Sequence, residues 1–193
     1  MKRGVIVLSI IFLATAVFGQ QASSPTEKGN MMFGGRASFQ KTSGPMYEST
    51  TEITLAPFGG YFLKKNLVLG AELQFTSVSM EGFTSSYFAF GPWAAYMFKN
   101  FQPGQEVKGA LIPFAKVGFM FRSFGNTGNN WETSTSGFMI PIGGGLVYML
   151  SPTLGLVVDA YYSLDHTKFK DAEEGTSGNR IVISIGLSYF HHK

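Results

Sequence analysis

From Asn179 to Phe190 the chain alternates without a break: Ile181, Ile183, Ile185, Leu187 and Tyr189 take one parity, and Arg180, Val182, Ser184, Gly186 and Ser188 take the other. Side chains of an extended strand project to opposite faces in turn, so this ribbon has an apolar face and a face of small or polar groups. At the helical period of 3.6 the same residues would scatter around the axis. A chain carrying several such ribbons folds as a sheet, and the question becomes which face meets water.

Seven further ribbons follow the same pattern. The eight predicted strands cover residues 29–41, 50–63, 66–78, 84–98, 109–123, 135–150, 153–165 and 178–190. Their connections alternate in length. Lys64-Lys65-Asn66 and Ser151-Pro152-Thr153 are tight, whereas 42–49, 79–84, 124–134 and 166–177 are longer and polar. Short turns at one rim and long loops at the other describe an antiparallel up-and-down barrel. The connection 99–108 is long where a short turn is expected and reads as a tolerated insertion. Abundant glycine, phenylalanine and tyrosine (24, 19 and 8 residues) fit strands and turns better than helices.

Lys2 and Arg3 precede an apolar run from Val5 to Phe18. A basic start, a short hydrophobic core and small residues at its end predict a secretory signal peptide over residues 1–19, cleaved after Gly19. The run is shorter than the roughly 18 or more apolar residues a spanning helix needs. A disordered lead-in over 20–28, one domain over 29–190 and a tail over 191–193 are expected to follow. The chain has no cysteine, so neither disulfides nor a cysteine-linked lipid hold it. Signal removal takes Lys2 and Arg3 from the 15 basic residues and leaves 13 against 12 acidic ones. That balance carries no electrostatic footprint for nucleic acid.

Alternation alone does not separate a soluble barrel from one in lipid; what each face carries does. One face gathers Leu67, Leu69, Leu73, Phe75, Val117, Phe119, Phe121, Leu156, Val158, Ile181, Ile183, Ile185 and Leu187. The other gathers Arg36, Glu52, Glu72, Lys116, Arg122, Asp159 and Arg180. These charges are nearly balanced and too few for a solvated wall, but they suit ion pairs across a narrow interior. The apolar stripe therefore points outward, to lipid. A sheet in hydrocarbon satisfies its backbone only by closing on itself, and eight strands close around a centre filled by side chains. The expectation is an all-β, eight-stranded antiparallel transmembrane barrel with no open pore. Tyr61, Phe62, Tyr96, Phe98, Tyr148, Tyr189 and Phe190, near strand ends, are expected to form an interfacial girdle.

The segments Pro57-Phe58-Gly59-Gly60-Tyr61-Phe62-Leu63 and Asn66-Leu67-Val68-Leu69-Gly70 carry a family likeness, as do Gly91-Pro92-Trp93 with Tyr96, Ile112-Pro113-Phe114 and Gly143-Gly144-Gly145-Leu146. With the closing ribbon, they resemble the small outer-membrane β-barrel proteins of OmpA and OmpX type, from Gly29 to Phe190. The resemblance implies a place in outer-membrane lipid and insertion by the barrel-assembly machinery, with Tyr189 and Phe190 as the terminal aromatic signal. In that family the chain usually ends on its last aromatic; here His191, His192 and Lys193 follow. The motifs imply no active site.

Catalytic groups are sparse. Some barrel enzymes of this membrane place a histidine at the outer rim, in an Asp–His pair or two residues before a serine. His166 follows Asp165, but Lys168 stands where that serine would be. A general base needs a nucleophile within hydrogen-bond reach, and the bland reading of His166 is a solvated loop residue. Gly143-Gly144-Gly145 lacks the helix and lysine of a phosphate loop, and strand glycines make room for bulky neighbours. Asp171, Glu173 and Glu174 read as a hydrated acidic loop before they read as a divalent-cation site. No metal, cofactor or catalytic set is expected.

The reading is a non-enzymatic barrel with a structural or interactive role, its four long loops offered to a surface ligand or cell partner. One alternative is a barrel enzyme acting on envelope lipid with His166 as base. Another is a secreted carrier of small apolar ligands, whose apolar face would turn inward.

Overall fold

The computed structural model describes residues 24–44, 47–80, 83–102, 105–126, 134–169 and 176–192. The expected signal peptide lies outside the described residues. Nine strand segments follow one another: β1 (Met31–Gly44), β2 (Tyr47–Lys64), β3 (Leu67–Met80), β4 (Phe83–Met97), β5 (Leu111–Gly118), β6 (Met120–Asn126), β7 (Ser134–Met149), β8 (Leu154–Phe169) and β9 (Thr176–His191). β9 returns to pair with β1, from Met31↔His191 to Ala37↔Ile185, and closes the sheet. β5 and β6 are one stave, since Trp93↔Gly118 and Phe90↔Phe121 keep a single register against β4. The ladder lapses at Phe119 because its partner is Pro92. The Phe119 N–H donates to the Pro92 carbonyl at 3.0 Å, but proline has no N–H to return. The result is an eight-stave, closed antiparallel barrel with no helix among the described residues.

The strands outrun their expected ends at the rim away from the termini. Hydrophobic alternation fades there because both faces become polar, yet the backbone ladder continues through Thr42↔Thr50, Ser79↔Thr84, Gly125↔Ser134 and Thr167↔Thr176. Much of the expected loops 42–49, 79–84, 124–134 and 166–177 is therefore strand. Residues 45–46, 81–82, 127–133 and 170–175, with Asp171, Glu173 and Glu174 among them, lie outside the described residues.

The rim that carries both strand termini is closed. Asn66 turns the chain between β2 and β3 with φ at 67°, a left-handed conformation that asparagine tolerates. Three expectations are corrected here. Residues 24–28 are not a disordered lead-in: Thr26 is fully buried and its carbonyl accepts the Asn66 N–H at 2.8 Å. Residues 191–192 are not a frayed tail: His191 pairs with Met31, and buried His192 lies against Asn30 and the Pro152 carbonyl. The connection 99–108 is not a loose insertion: Phe101 and Val107 are buried in a core with Met32, Phe62, Trp93, Ile112, Met149 and Phe190. Gly109 N–H donates to Met149 O at 2.7 Å and Met149 N–H to Ala110 O at 2.9 Å, tying this segment to β7. The end of a barrel leaves apolar side chains and backbone groups to cover, and these three segments form the stopper that covers them.

Candidate functional site: the lumen charge network

The inward parity of six staves converges on a layered ionic core. Arg36 on β1 donates from Nη1 to Asp159 on β8 and from Nη2 to Glu72 on β3. Lys116 on β5 donates to the same Glu72 oxygen, Gln74 donates to the other at 2.8 Å, and Ser184 donates to Asp159. Six residues further along two of these staves lies a second layer. Arg122, beyond Lys116, meets Asp165, beyond Asp159, at 2.8 Å. Arg180 on β9 bonds Glu52 at 2.8 Å and reaches Asp165 at 3.2 Å. The Tyr87 hydroxyl donates to Glu52 at 2.9 Å, and the Arg122 guanidinium lies 4.4 Å from the Tyr87 ring centroid. Met120, between Lys116 and Arg122 on their stave, packs with Ala89 and Met139 as a thin apolar partition.

All seven charges expected inside are brought together there. Sequence reasoning missed an eighth, Asp165, which it placed beside His166 at the outer rim. The signal was available: Asp165 continues the parity of Asp159, Tyr161 and Ser163. With it the lumen holds, among the described residues, four cations and four anions in two ion-paired groups. A buried charge stripped of its partner costs several kcal/mol, so such a set persists only because each member is compensated.

Beneath the first layer, aromatic rings join the charges to the apolar stopper. Trp93 lies over Gly60 and Gly70; a Cβ on Gly70 would stand 2.6 Å from the indole and 2.1 Å from the Gly59 carbonyl. These glycines make room for the ring. Lys116 Nζ lies 5.1 Å from the Trp93 centroid, and Arg36 lies 5.5 Å from that of Phe58. The cavities beside the first charge layer measure about 30 and 10 Å³. A volume of tens of Å³ holds a water or two, not an apolar ligand of ordinary size.

The outer wall is the reverse of the lumen. Leu69, Leu73, Phe75, Val117, Phe119, Phe121, Val158, Ile181, Ile183, Ile185 and Leu187 are exposed on it, from 37% at Phe119 to 68% at Ile183, and Leu67 and Leu156 are half-exposed. This polarity overturns the soluble-carrier alternative, which requires the apolar face within. The expected girdle needs one correction. Tyr61, Tyr96, Phe98 and Tyr148 face outward, but Phe62 and Phe190 point inward, fully buried, with ring centroids 6.4 Å apart. Parity decides this: Phe62 shares the face of Thr54, and Phe190 that of Ser184. Of the two residues assigned to the assembly signal, only Tyr189 continues the outward stripe.

Asp165 and His166 point to opposite faces, so they form no acid–base pair. The His166 ring instead packs on outward Phe138, centroids 5.2 Å apart, and its Nδ1 lies 3.1 Å from Ser177 Oγ across the β8–β9 ladder. The sequence reading found no serine partner, because only the strand register brings these two together.

A closed sheet with its ion pairs inside and its aliphatic side chains outside is a barrel built to cross a membrane with strands. The chain belongs to the outer membrane protein beta-barrel domain family, whose model matches residues 10–189. Among solved structures it is similar to Neisserial surface protein A, with 14% identity over 84% of this chain and 99% of that one, at a TM-score of 0.63. It is also similar to the outer membrane protein OprG from Pseudomonas aeruginosa, with 12% identity over 89% of this chain and all of that one (100%), at 0.55. At these identities the likeness speaks for the fold alone. A comparison with curated proteins finds no match.

Proposed function

We propose that the protein is a non-enzymatic outer-membrane barrel that conducts nothing and holds its outer loops at the cell surface for a ligand or cell partner. One observation carries this reading. The lumen is crossed by two ion-paired layers and sealed at one end by an apolar stopper containing Phe62, Phe101 and Phe190. A conducting path would break several compensated charges. The chain is exported with its signal removed after Gly19 and is inserted by the barrel-assembly machinery, with Tyr189 as the terminal outward aromatic. The test is conductance of purified protein in planar bilayers. Silence supports the reading, and steady single-channel steps at neutral pH contradict it.

A second reading, hydrolysis of envelope lipid, is favoured by the His166–Ser177 contact at 3.1 Å. The hydroxyl meets Nδ1, however, and no carboxylate engages Nε2 among the described residues, so the ring lacks the third group that orients a catalytic histidine. Fatty-acid release from envelope lipid by wild type, lost in both His166→Ala and Ser177→Ala, would establish this reading over the first.

A further inference from the structure

The charges of this chain are unevenly shared between its two sets of strand connections. Among the described residues the lumen holds four cations and four anions. The stoppered rim carries, among the described residues, Lys28, Lys64, Lys65, Lys99 and Lys108 against Glu27 and Glu106, a surplus of three positive charges. The sequence at the opposite strand ends carries Lys41, Lys168 and Lys170 against Glu48, Glu81, Glu132, Asp171, Glu173 and Glu174, a deficit of three. Glu27 pairs with Lys65 at 3.0 Å, while Lys28, Lys64 and Lys108 are exposed and have no anionic partner among the described residues.

The position of these lysines relative to the lipid-facing wall is specific. Leu63, Phe98 and Leu111 are exposed apolar side chains at the stoppered end of the outer wall, accompanied by Tyr61, Tyr96 and Tyr148. Such aromatics sit at the edge of the hydrocarbon layer. Lys64 and Lys65 directly follow Leu63, Lys99 directly follows Phe98, and Lys108 precedes Leu111 by three residues. At about 3.3 Å per residue, their Cα atoms lie within roughly 10 Å of the last lipid-facing side chain. A lysine stem reaches along apolar surface and delivers its ammonium to the headgroup layer.

We infer that the stoppered rim is a binding surface for anionic phospholipid, engaging the headgroup phosphates of the leaflet it faces. Short turns and strand termini mark the periplasmic rim of such barrels, so the leaflet is the inner one of the outer membrane. These lysines fix the depth and orientation of the barrel by charge, where the aliphatic wall fixes depth by hydrophobicity alone. The inference stands on the membrane-spanning fold and is independent of whether the barrel conducts or catalyses.

The test measures the thermal unfolding midpoint of full-length protein in an uncharged detergent, with dioleoyl phosphatidylglycerol, dioleoyl phosphatidylcholine or glycerol phosphate added. Phosphatidylglycerol raises the midpoint at low salt and the rise vanishes near 1 M salt, where charge is screened within about 3 Å. The Lys28→Gln, Lys64→Gln, Lys108→Gln triple variant keeps the lipid-free midpoint and loses the response. Its apparent affinity falls about fivefold per lysine, about a hundredfold for all three. An equal rise with phosphatidylcholine, a rise with glycerol phosphate alone, or an unchanged response in the triple variant overturns the inference. So does salt-sensitive sedimentation of the protein with purified peptidoglycan in place of any lipid response, which assigns the rim to a polymer.

Discussion

Arg36 and Asp159 are separated by 123 residues of sequence and meet as an ion pair inside the barrel, both nearly excluded from solvent. Neither charge is tolerable there alone. The pair therefore reports the whole architecture at once: β1 and β8 must stand on either side of β9, in the register that turns both residues inward.

Glu72 holds the first layer together, because Arg36, Lys116 and Gln74 all donate to it. Glu72→Ala leaves Arg36 with Asp159 alone and takes from Lys116 the carboxylate it donates to. Loss of one partner of a buried ion pair costs about 3–5 kcal/mol. Urea unfolding of folded protein in lipid vesicles measures this, and a loss under 1 kcal/mol would mean that water fills the lumen and screens the charges.

The same parity puts two neighbouring aromatics, Phe190 and Tyr189, on opposite faces of the wall. Phe190→Ala opens a cavity beside Phe62 and costs about 3–5 kcal/mol in unfolding measurements, as a buried phenylalanine does. Tyr189→Ala leaves that stability nearly unchanged but slows insertion by reconstituted assembly machinery. Equal effects of both substitutions on both readouts would remove the distinction.

Gly35 and Gly70 give a matched pair. A Cβ on Gly70 meets the Gly59 backbone and the Trp93 ring, whereas a Cβ on Gly35 meets nothing within 4 Å. Gly70→Ala therefore destabilises by about 1–3 kcal/mol through overpacking, while Gly35→Ala is neutral or stabilises by about 0.5–1 kcal/mol. Denaturant midpoints of the two variants, side by side, decide it.

His192 makes the stopper sensitive to acid. Burial holds its imidazole below the ordinary histidine range, against the opposing pull of the Pro152 carbonyl, so the folded state favours the neutral ring. A group with a depressed folded pKa contributes its stability above the unfolded pKa and loses it as pH falls through the folded one. Protection of the amides at residues 189–192, with the intrinsic pH dependence of exchange divided out, is accordingly high at neutral pH and falls on acidification below about 6.5, the unfolded histidine value. In His192→Gln that fall is absent; persistence of the pH step in the variant assigns it elsewhere.

Much of this was written in the sequence for one reason: a strand has a period of two, and parity propagates. Arg36, Glu72 and Ile183 could be given a face from their neighbours alone. Asp165 continues the parity of Asp159 to the end of its strand, so its inward facing is legible too. Phe62 and Phe190 lie near strand ends, where aromatics often face lipid, but their parity puts them inside. Other features follow from long-range geometry and leave no periodic trace. Phe101 and Val107 sit in a polar connection, and their burial depends on how the stopper crosses the barrel mouth. His166 and Ser177 meet only because β8 and β9 pair in one register out of several available.

Odd-numbered residues of β9 face lipid and even-numbered ones face a closed ionic lumen. Nitroxide labels placed singly from position 181 to 187 in the vesicle-embedded protein test it through their accessibility to oxygen, which concentrates in hydrocarbon, and to a water-soluble nickel complex. Oxygen maxima are expected at 181, 183, 185 and 187, with minima between them and little nickel access at any position. Maxima at 182, 184 and 186, or strong nickel access on the even positions, would contradict it.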